Sequence, residues 1–477
     1  MEKSKLVITG FLWKFAEKGG AQIVQAIVSI VLARLLMPEV YGVVALIAVI
    51  VNILNVFVDS GLGNALIQKK DADDVDFSSV FYFNLGICTL LYVLLFLCAP
   101  VIAIFYENSE LTAMIRALGV IVLISGIKNI QQAYVSRHML FKKFFVATLG
   151  GTIISAFVGI AMAYMGFGAW ALVAQTLTNL SIDTLILWLT VKWRPKKEFS
   201  IKRLAELLSF GWKLLVSSLL DNLYNNLRQL IIGKYYSSSD LAYYNRGKQF
   251  PELLTTSIHG SIDSVLLPVM SSEQDNKSAV KEMMRRAIKV SIYVMAPMML
   301  GLAAVAKPLT CFLLTEKWVD SVLFMQVFCI IYMSYPVRAS NLNAIKALGR
   351  SDIFLKLEII KKSVGMALLV VAIPYGVKAI AYSLIVSDLL SQMINARPNR
   401  KLLGYGYWEQ LKDILPDIIM AVIMAISISA IQLLNLPYII TLLIQVPLGI
   451  VIYVLESIIT KNETFYYLLG FLKKGKL

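Results

Sequence analysis

The sequence predicts an all-α polytopic membrane protein of about fourteen transmembrane helices, arranged as two six-helix lobes related by a pseudo-two-fold along the membrane normal plus a C-terminal helix pair. Three observations predict it. Of the 477 residues, 58% are hydrophobic and only 16% charged, whereas soluble domains carry about 25% charged residues. Apolar runs near the ~20 residues that span a bilayer recur along the whole chain. They are too long, and alternate too little, for a β-barrel. The formal net charge of +15 is concentrated in short connections between those runs, a topology signal that replaces the nucleic-acid reading such a charge first suggests.

The first run, 10–36, follows Lys3 and Lys5. Lys14, Glu17 and Lys18 interrupt it and no small-residue cleavage pattern follows, so it reads as a retained span. Runs 41–67, 77–105 and 111–135 come next, with Lys69 and Lys70 after the second and Arg137, Lys142 and Lys143 after the fourth. Runs 144–165 and 168–191 complete the first set. A basic connection with Lys196, Lys197, Lys202 and Arg203 leads to 207–233. The eighth run, 240–270, is the weakest by hydropathy and contains Pro251, expected to kink it and free backbone groups toward a cavity. Lys277, Lys281, Arg285, Arg286 and Lys289 flank the next run, 282–306. Then come 319–345, 353–374 and 377–395, with Lys346, Arg350, Lys356, Arg397, Arg400 and Lys401 at their connections, and finally 414–434 and 438–460 before a basic tail. With the N-terminus inside, the outer connections hold little beyond Lys234, Lys307, Lys317 and Lys378. An even number of spans with both termini cytoplasmic follows.

The chain carries a weak internal repeat. Phe11-Leu12-Trp13-Lys14 matches Phe210-Gly211-Trp212-Lys213. Arg137, Phe141 and Lys143 match Arg350, Phe354 and Lys356. Gly166-Phe167-Gly168-Ala169 resembles Gly376-Val377-Lys378-Ala379. The order and the nearly constant offset indicate duplication of a six-helix unit, with an axis along the membrane normal. The expected division is 1–192 for the first lobe, 193–206 for the connection, 207–396 for the second lobe and 397–477 for the last two helices and tail. The last two helices look nearly all apolar, as for a hairpin on lipid.

Intramembrane polar groups are costly and mark partners or water-filled cavities. They gather in spans one, two, seven and eight, corresponding spans of the two repeats. Lys14, Lys18, Gln22 and Gln25 share one face of span one, with Glu17 beside it. Asn52, Asn55 and Asp59 form a stripe on span two. Span seven has Asp221, Asn225 and Arg228 on one face. Span eight aligns Lys248, Glu252, Thr256, His259 and Asp263, with Arg246 nearby. At ~1.5 Å rise per residue, Lys14, Glu17, Lys18, Asp59 and Asp263 lie toward the inner half, Asp221, Asn225 and Glu252 near the middle, and Arg228 and Arg246 toward the outer half. Cations at several depths suit a polyanionic headgroup such as a diphosphate. The carboxylates would balance charge or carry protons. The alternative is mutual pairing that only holds helices together. Aromatics in the same spans, Tyr224, Tyr243 and Tyr244 among them, suit stacking on sugar rings; Trp13 and Trp212 fit an interfacial belt better.

No chemistry-bearing motif competes. Asp71-Ala72-Asp73-Asp74-Val75-Asp76 contains an acidic triplet like that of metal-using glycosyltransferases, but a solvated loop leading to a helix N-terminus explains it better. No P-loop, GxSxG, HExxH or EF-hand pattern occurs. Cys88, Cys98, Cys311 and Cys329 sit in apolar stretches and read as buried small hydrophobes. Two histidines, His138 and His259, are too few for a His-built metal site, so no metal and no cofactor is expected.

Residues 33–42, Ala-Arg-Leu-Leu-Met-Pro-Glu-Val-Tyr-Gly, resemble the "ARLL-x-P-x-x-YG" junction of bacterial polysaccharide flippases. Ala242-Tyr243-Tyr244-Asn245-Arg246 resembles that family's "YYNRA" region, with Gly247 in place of the alanine. Trp13-Lys14 and Pro268-x-Met270 also fit. The chain is thus similar, over nearly all of 1–410, to the Wzx-type oligosaccharide flippases, more closely the colanic-acid and teichuronic-acid-like branch of the multidrug/oligosaccharidyl-lipid/polysaccharide exporter superfamily. The resemblance implies two lobes around a cavity lined by spans one, two, seven and eight. It implies transport of undecaprenyl-diphosphate-linked oligosaccharide from the inner to the outer leaflet of the bacterial cytoplasmic membrane by alternating access, with no catalysis. Matching spans carry the substrate-binding role to Lys14, Lys18, Arg228, Arg246 and Lys248; Asn225 and Tyr244 join them from the polar and aromatic pattern. Ion coupling, by H⁺ or Na⁺, would fall to Glu17, Asp59, Asp221, Glu252, His259 or Asp263. Implied partners are the lipid-linked substrate, membrane lipids, and the polymerase and glycosyltransferases of the same pathway, with no nucleic acid. A drug/cation antiporter of the same superfamily, or a membrane polymerase or glycosyltransferase, are the alternatives.

Overall fold

Every regular element among the described residues is a helix. The structure, a computed structural model, describes residues 2–59 and 62–473; within helices, the side chains at 2–12, 14–18, 59, 64, 210–211, 213–214, 257–264 and 471–473 lie outside the described residues. Among the described residues, ten helical stretches are long and apolar enough to cross a membrane. Four further long helices, α1, α8, α9 and α14 below, carry more charge, and with them the helices are compatible with the expected fourteen. Apolar side chains on the outside of the bundle, such as Leu97, Val101 and Ile104, would be an aggregation liability in water and suit lipid.

The described chain divides into two compact units, 1–242 and 243–477. The first holds α1 (Glu2–Leu35), α2 (Pro38–Asp59), α3 (Leu62–Gln68), α4 (Asp74–Phe105), α5 (Glu110–Arg137), α6 (Phe141–Tyr164), α7 (Ala169–Thr190) and α8 (Ile201–Tyr235). Its start signals are local. Asp73 caps α4 by accepting from the backbone N–H groups of Val75 and Asp76, and the Asp76 carboxylate accepts from the Asp73 N–H, a reciprocal capping box. The acidic cluster is therefore a helix start, as expected. At the same end a core of Phe77, Phe81, Ile130, Phe144, Leu187 and Trp193 joins α4 to α7. The connection 191–200 packs back onto it: Trp193 Nε1 donates to Asp74 (3.1 Å), and the amides of Lys196 and Ser200 donate to the hydroxyls of Ser78 and Ser79 (both 2.9 Å). Arg137, the first residue of the repeated motif, donates to the carbonyls of Leu66 and Lys70 (both 2.7 Å), where cations are favoured by the helix dipole.

The helix α9 (Ser238–Ser272) leads into the second unit, which adds α10 (Lys277–Ala304), α11 (Ala306–Leu314), α12 (Ser321–Met333), α13 (Tyr335–Ala347), α14 (Ser351–Ala372), α15 (Val377–Leu403), α16 (Tyr407–Ser429), α17 (Tyr438–Ile459) and α18 (Glu463–Lys473). Helix α9 continues through Pro251, and the Thr255 hydroxyl donates to the Pro251 carbonyl (2.8 Å). The expected single run 319–345 is two helices. Pro336 stands in the first turn of α13, where its missing N–H costs nothing but where α12 cannot continue.

The last two helices keep a long exposed apolar face, with Ile419, Ile423, Leu443 and Ile450 on it, and each also buries one stripe against its neighbours. Gln410, Ile414, Asp417, Ala421, Met424 and Ile428 form a buried stripe on α16, packed with Met284, Ile288 and Ile292 of α10. Helix α17 buries Thr441, Gln445, Gly449, Tyr453 and Ser457, one per turn. Tyr453 donates to the Tyr293 carbonyl (2.9 Å), and the hydroxyls of Tyr293 and Ser457 bond to each other (2.8 Å). Asp413 accepts from Arg285 through both oxygens (2.8 and 2.7 Å). Cys88, Cys311 and Cys329 are buried as expected; Cys98 is exposed, because it lies on the outward apolar face of α4.

Candidate functional site

The stretch Asp221–Leu230 lies in the C-terminal half of α8. Its amides interlock along one side of the helix: Asn226 donates to the Asn222 side-chain oxygen (2.7 Å), and Gln229 donates to that of Asn226 (3.2 Å). Pairs three and four apart meet on a helix surface, so these amides largely satisfy one another. Asp221 and Asn225 are exposed on another side. Arg228 is only 6% exposed, its guanidinium 5.9 Å from the Tyr224 ring one turn back.

On α9, Arg246 is equally buried at 6%. Its Nη1 donates to Gln249 (2.7 Å), and its guanidinium stands 5.0 Å from the ring of Trp318, a cation–π distance. Trp318 is fully buried and also takes the edge of Tyr243 at 6.1 Å. The turn that places Trp318 begins at Thr315, whose φ of 81° and ψ of 169° strain a β-branched residue. Tyr244 points into the second unit, with its ring edge-on to Phe324 (5.9 Å) and Phe328 (5.3 Å). Lys248 and Glu252 face each other one turn apart as a half-exposed ion pair (3.2 Å). Gly247, where the family pattern has alanine, lies so close to α12 that a Cβ would come within 2.5 Å of the Phe324 Cβ. The side chains of Lys14, Glu17, Lys18, Asp59, His259 and Asp263 lie outside the described residues.

Two further ion pairs escaped the sequence reading. Lys128 on α5 pairs with buried Asp183 on α7 (2.7 Å). Arg338 on α13 pairs with buried Asp388 on α15 (2.7 Å), which also accepts from Ser334 (2.6 Å) and Gln392 (2.9 Å). In the order of the repeat these are the same pair of helices in each half. The signal was present, since each is a charge inside an apolar run, but the denser clusters in spans one, two, seven and eight outweighed it. No group of three or more metal-ligating side chains occurs among the described residues.

The "ARLL-x-P-x-x-YG" glycine has a plain role. A Cβ on Gly42 would fall 1.7 Å from the Ser238 carbonyl oxygen, so α2 meets the start of α9 backbone to backbone. Glu39, three residues earlier, accepts from the Ser239 hydroxyl (2.7 Å). At the opposite, basic end of the first unit, Arg203 donates to both oxygens of Asp73 (2.6 Å each), and this guanidinium holds the Asp73 carboxyl below its ordinary range.

A family model described as polysaccharide biosynthesis protein matches residues 31–323. A teichuronic acid biosynthesis protein of Bacillus subtilis is 26% identical over 301 residues, 62% of either chain. A succinoglycan biosynthesis transport protein of Rhizobium meliloti is 24% identical over 66% of this chain and 64% of its own. A lipopolysaccharide biosynthesis protein of Escherichia coli K12 is 22% identical over 76% of this chain and 74% of its own. The match thus spans under two thirds of the length of the first two relatives. Among solved structures, a lipid II flippase in an inward closed conformation superposes with a TM-score of 0.75 at 15% identity, over 95% of this chain and 99% of its own. An inward-facing multidrug resistance transporter gives 0.63 at 12% identity, over 80% and 94%. At such identities the likeness is one of fold.

Proposed function

The chain belongs to the polysaccharide biosynthesis protein family, and from that premise we propose that it moves an undecaprenyl-diphosphate-linked oligosaccharide, a polysaccharide repeat unit, from the inner to the outer leaflet of the bacterial cytoplasmic membrane. It is a multi-pass membrane protein and a transporter rather than an enzyme. The observation that carries the reading is the family match itself, which runs from residue 31 to 323 and so encloses both α8 and α9.

In this reading the work is alternating access. Arg228 and Arg246, buried guanidiniums in helices of membrane-spanning length, supply the planar donors that suit a diphosphate. Lys14, Lys18 and Lys248 extend the cationic track, and Asn225 and Tyr244 belong to the same binding set. Transport is coupled to H⁺ or Na⁺ through one of Glu17, Asp59, Asp221, Glu252, His259 and Asp263. Both termini are cytoplasmic, a reading supported by basic residues in alternate connections. Glycosyltransferases and a polymerase of the same pathway act before and after it.

The test is reconstitution. Proteoliposomes containing the protein and a fluorescent undecaprenyl-diphosphate oligosaccharide should equilibrate the probe between leaflets far faster than protein-free vesicles. Unchanged leaflet exchange overturns the proposal. Extrusion of a cationic dye without lipid exchange would move the chain to the drug antiporters instead.

A further inference from the structure

Four connections meet at one end of the first unit: those between α1 and α2, α4 and α5, α6 and α7, and α8 and α9. They line a half-open cavity of about 690 Å³, bordered by Glu39, Asn108, Glu110, Phe167, Trp170 and the hydroxyl-bearing stretch 237–239. This volume lies in the range of small-molecule sites. No lysine or arginine lines it, although the chain has 45. That argues against a phosphate ligand, which would call for cationic donors.

Two aromatic rings are held at the cavity by the backbone. Gly166 and Gly168 have φ of +81° and +55°, conformations that side chains rarely adopt. They bracket Phe167, whose amide donates to the Met162 carbonyl (3.1 Å) and whose carbonyl accepts from the Trp170 amide (3.1 Å). Phe167 stays 51% and Trp170 39% exposed. Around them stand planar acceptors: Asn108, whose side-chain oxygen is fixed by the Glu110 amide (3.0 Å), and the carboxylates of Glu39 and Glu110. Carboxylates and amides pair with vicinal hydroxyls, while ring faces cover the apolar side of a pyranose. Two carboxylates disfavour an acidic sugar.

We infer that this cavity is a binding site for uncharged, hydroxyl-rich saccharide, and that it receives the glycan part of the transported molecule apart from its diphosphate. The inference rests on the proposed flippase activity for its ligand and on the positive-inside pattern for its outer position. It places glycan recognition on the α2, α5 and α7 ends rather than on the arginine-bearing faces of α8 and α9.

The experiment uses the full-length protein purified in detergent, with intrinsic tryptophan fluorescence and calorimetry as readouts. The probes are maltotriose, chitotriose, a panel of neutral repeat-unit oligosaccharides, trigalacturonate and inorganic pyrophosphate. The expected result is saturable binding of a neutral saccharide, weakened at least tenfold in Glu110→Gln and in Trp170→Ala, with trigalacturonate bound more weakly and pyrophosphate binding unchanged by either substitution. Monodispersity and helical circular dichroism confirm that the variants fold; Glu110→Gln keeps size and shape in case Trp170→Ala does not. No saccharide response, a response that neither substitution changes, or pyrophosphate binding abolished by Glu110→Gln overturns the site. The vesicle assay separates the two ideas: saccharide binding without lipid exchange defeats the flippase reading alone, and lipid exchange without saccharide binding defeats this site alone.

Discussion

Lys128 and Asp183 pair across α5 and α7 with both side chains largely buried, and neither charge is tolerable there without the other. Removing one partner of a buried ion pair leaves an uncompensated charge and costs about 3–5 kcal/mol, whereas replacing both with apolar groups is often close to neutral. Lys128→Ala is therefore expected to lower the unfolding temperature in detergent markedly, and the double substitution with Asp183→Ala to recover most of the loss. Equal damage from single and double variants would reject the pairing as the stabilising contact. Arg246 poses a different test. Arg246→Lys keeps the charge but loses the fork toward Gln249 and the flat contact with Trp318, so polymer export should fall at least tenfold while protein abundance stays near normal; wild-type export would remove Arg246 from the binding set. Arg228 and Arg246 were legible in the sequence as cations in spanning runs. Trp318 was not, because its importance comes from a strained turn at Thr315 that brings a distant ring to α9, and no local pattern announces that.

Helix boundaries followed from local rules where capping chemistry was explicit. Asp73 is the clearest instance: its carboxylate caps α4 and is held below its ordinary pKa chiefly by Arg203. A depressed acid adds stability that is complete above its unfolded pKa, about 4, and is lost as the pH falls through the lower folded value. The same holds for Asp352, drawn down to about 2 by Arg350. The connection before α14 should loosen between about pH 4 and pH 2, and that before α4 as the pH falls below the ordinary carboxylate range, each read as amide exchange at the helix start. Asp73→Ala should cost about 0.5–2 kcal/mol, the usual worth of an N-cap, and should remove the acid-dependent part at α4. An unchanged exchange profile would reject the cap. The break between α12 and α13 was written in Pro336 but overruled by the apolar run around it. The stripe Thr441, Gln445, Gly449, Tyr453 and Ser457 was equally visible, one residue per turn. Mean apolarity hid it: a face can be small and polar enough to pack while the helix as a whole looks made for lipid.

At the scale of the molecule, composition and run length were enough for the fold class because a bilayer forces every buried backbone group into a helix. They could not say which helices pack together, since lipid and protein neighbours look alike to a leucine. Helices α16 and α17 show the result: they complete the core around α10. A chain ending at Gly404 should accordingly accumulate several-fold below the full-length protein in fluorescence-detected chromatography, and normal accumulation would mark the pair as an appendage. Packing also draws α8 and the start of α9 to the first unit, with Gly42 lying against the backbone of Ser238. The consequence concerns birth rather than transport. A nascent chain that has delivered all six helices of the first repeat to the membrane still lacks one wall of its first unit. It must wait, on the order of seconds at ordinary translation rates, for residues up to 242 to emerge. The contacts of Gly42 and Glu39 with residues 238 and 239 are therefore among the last the first unit can make.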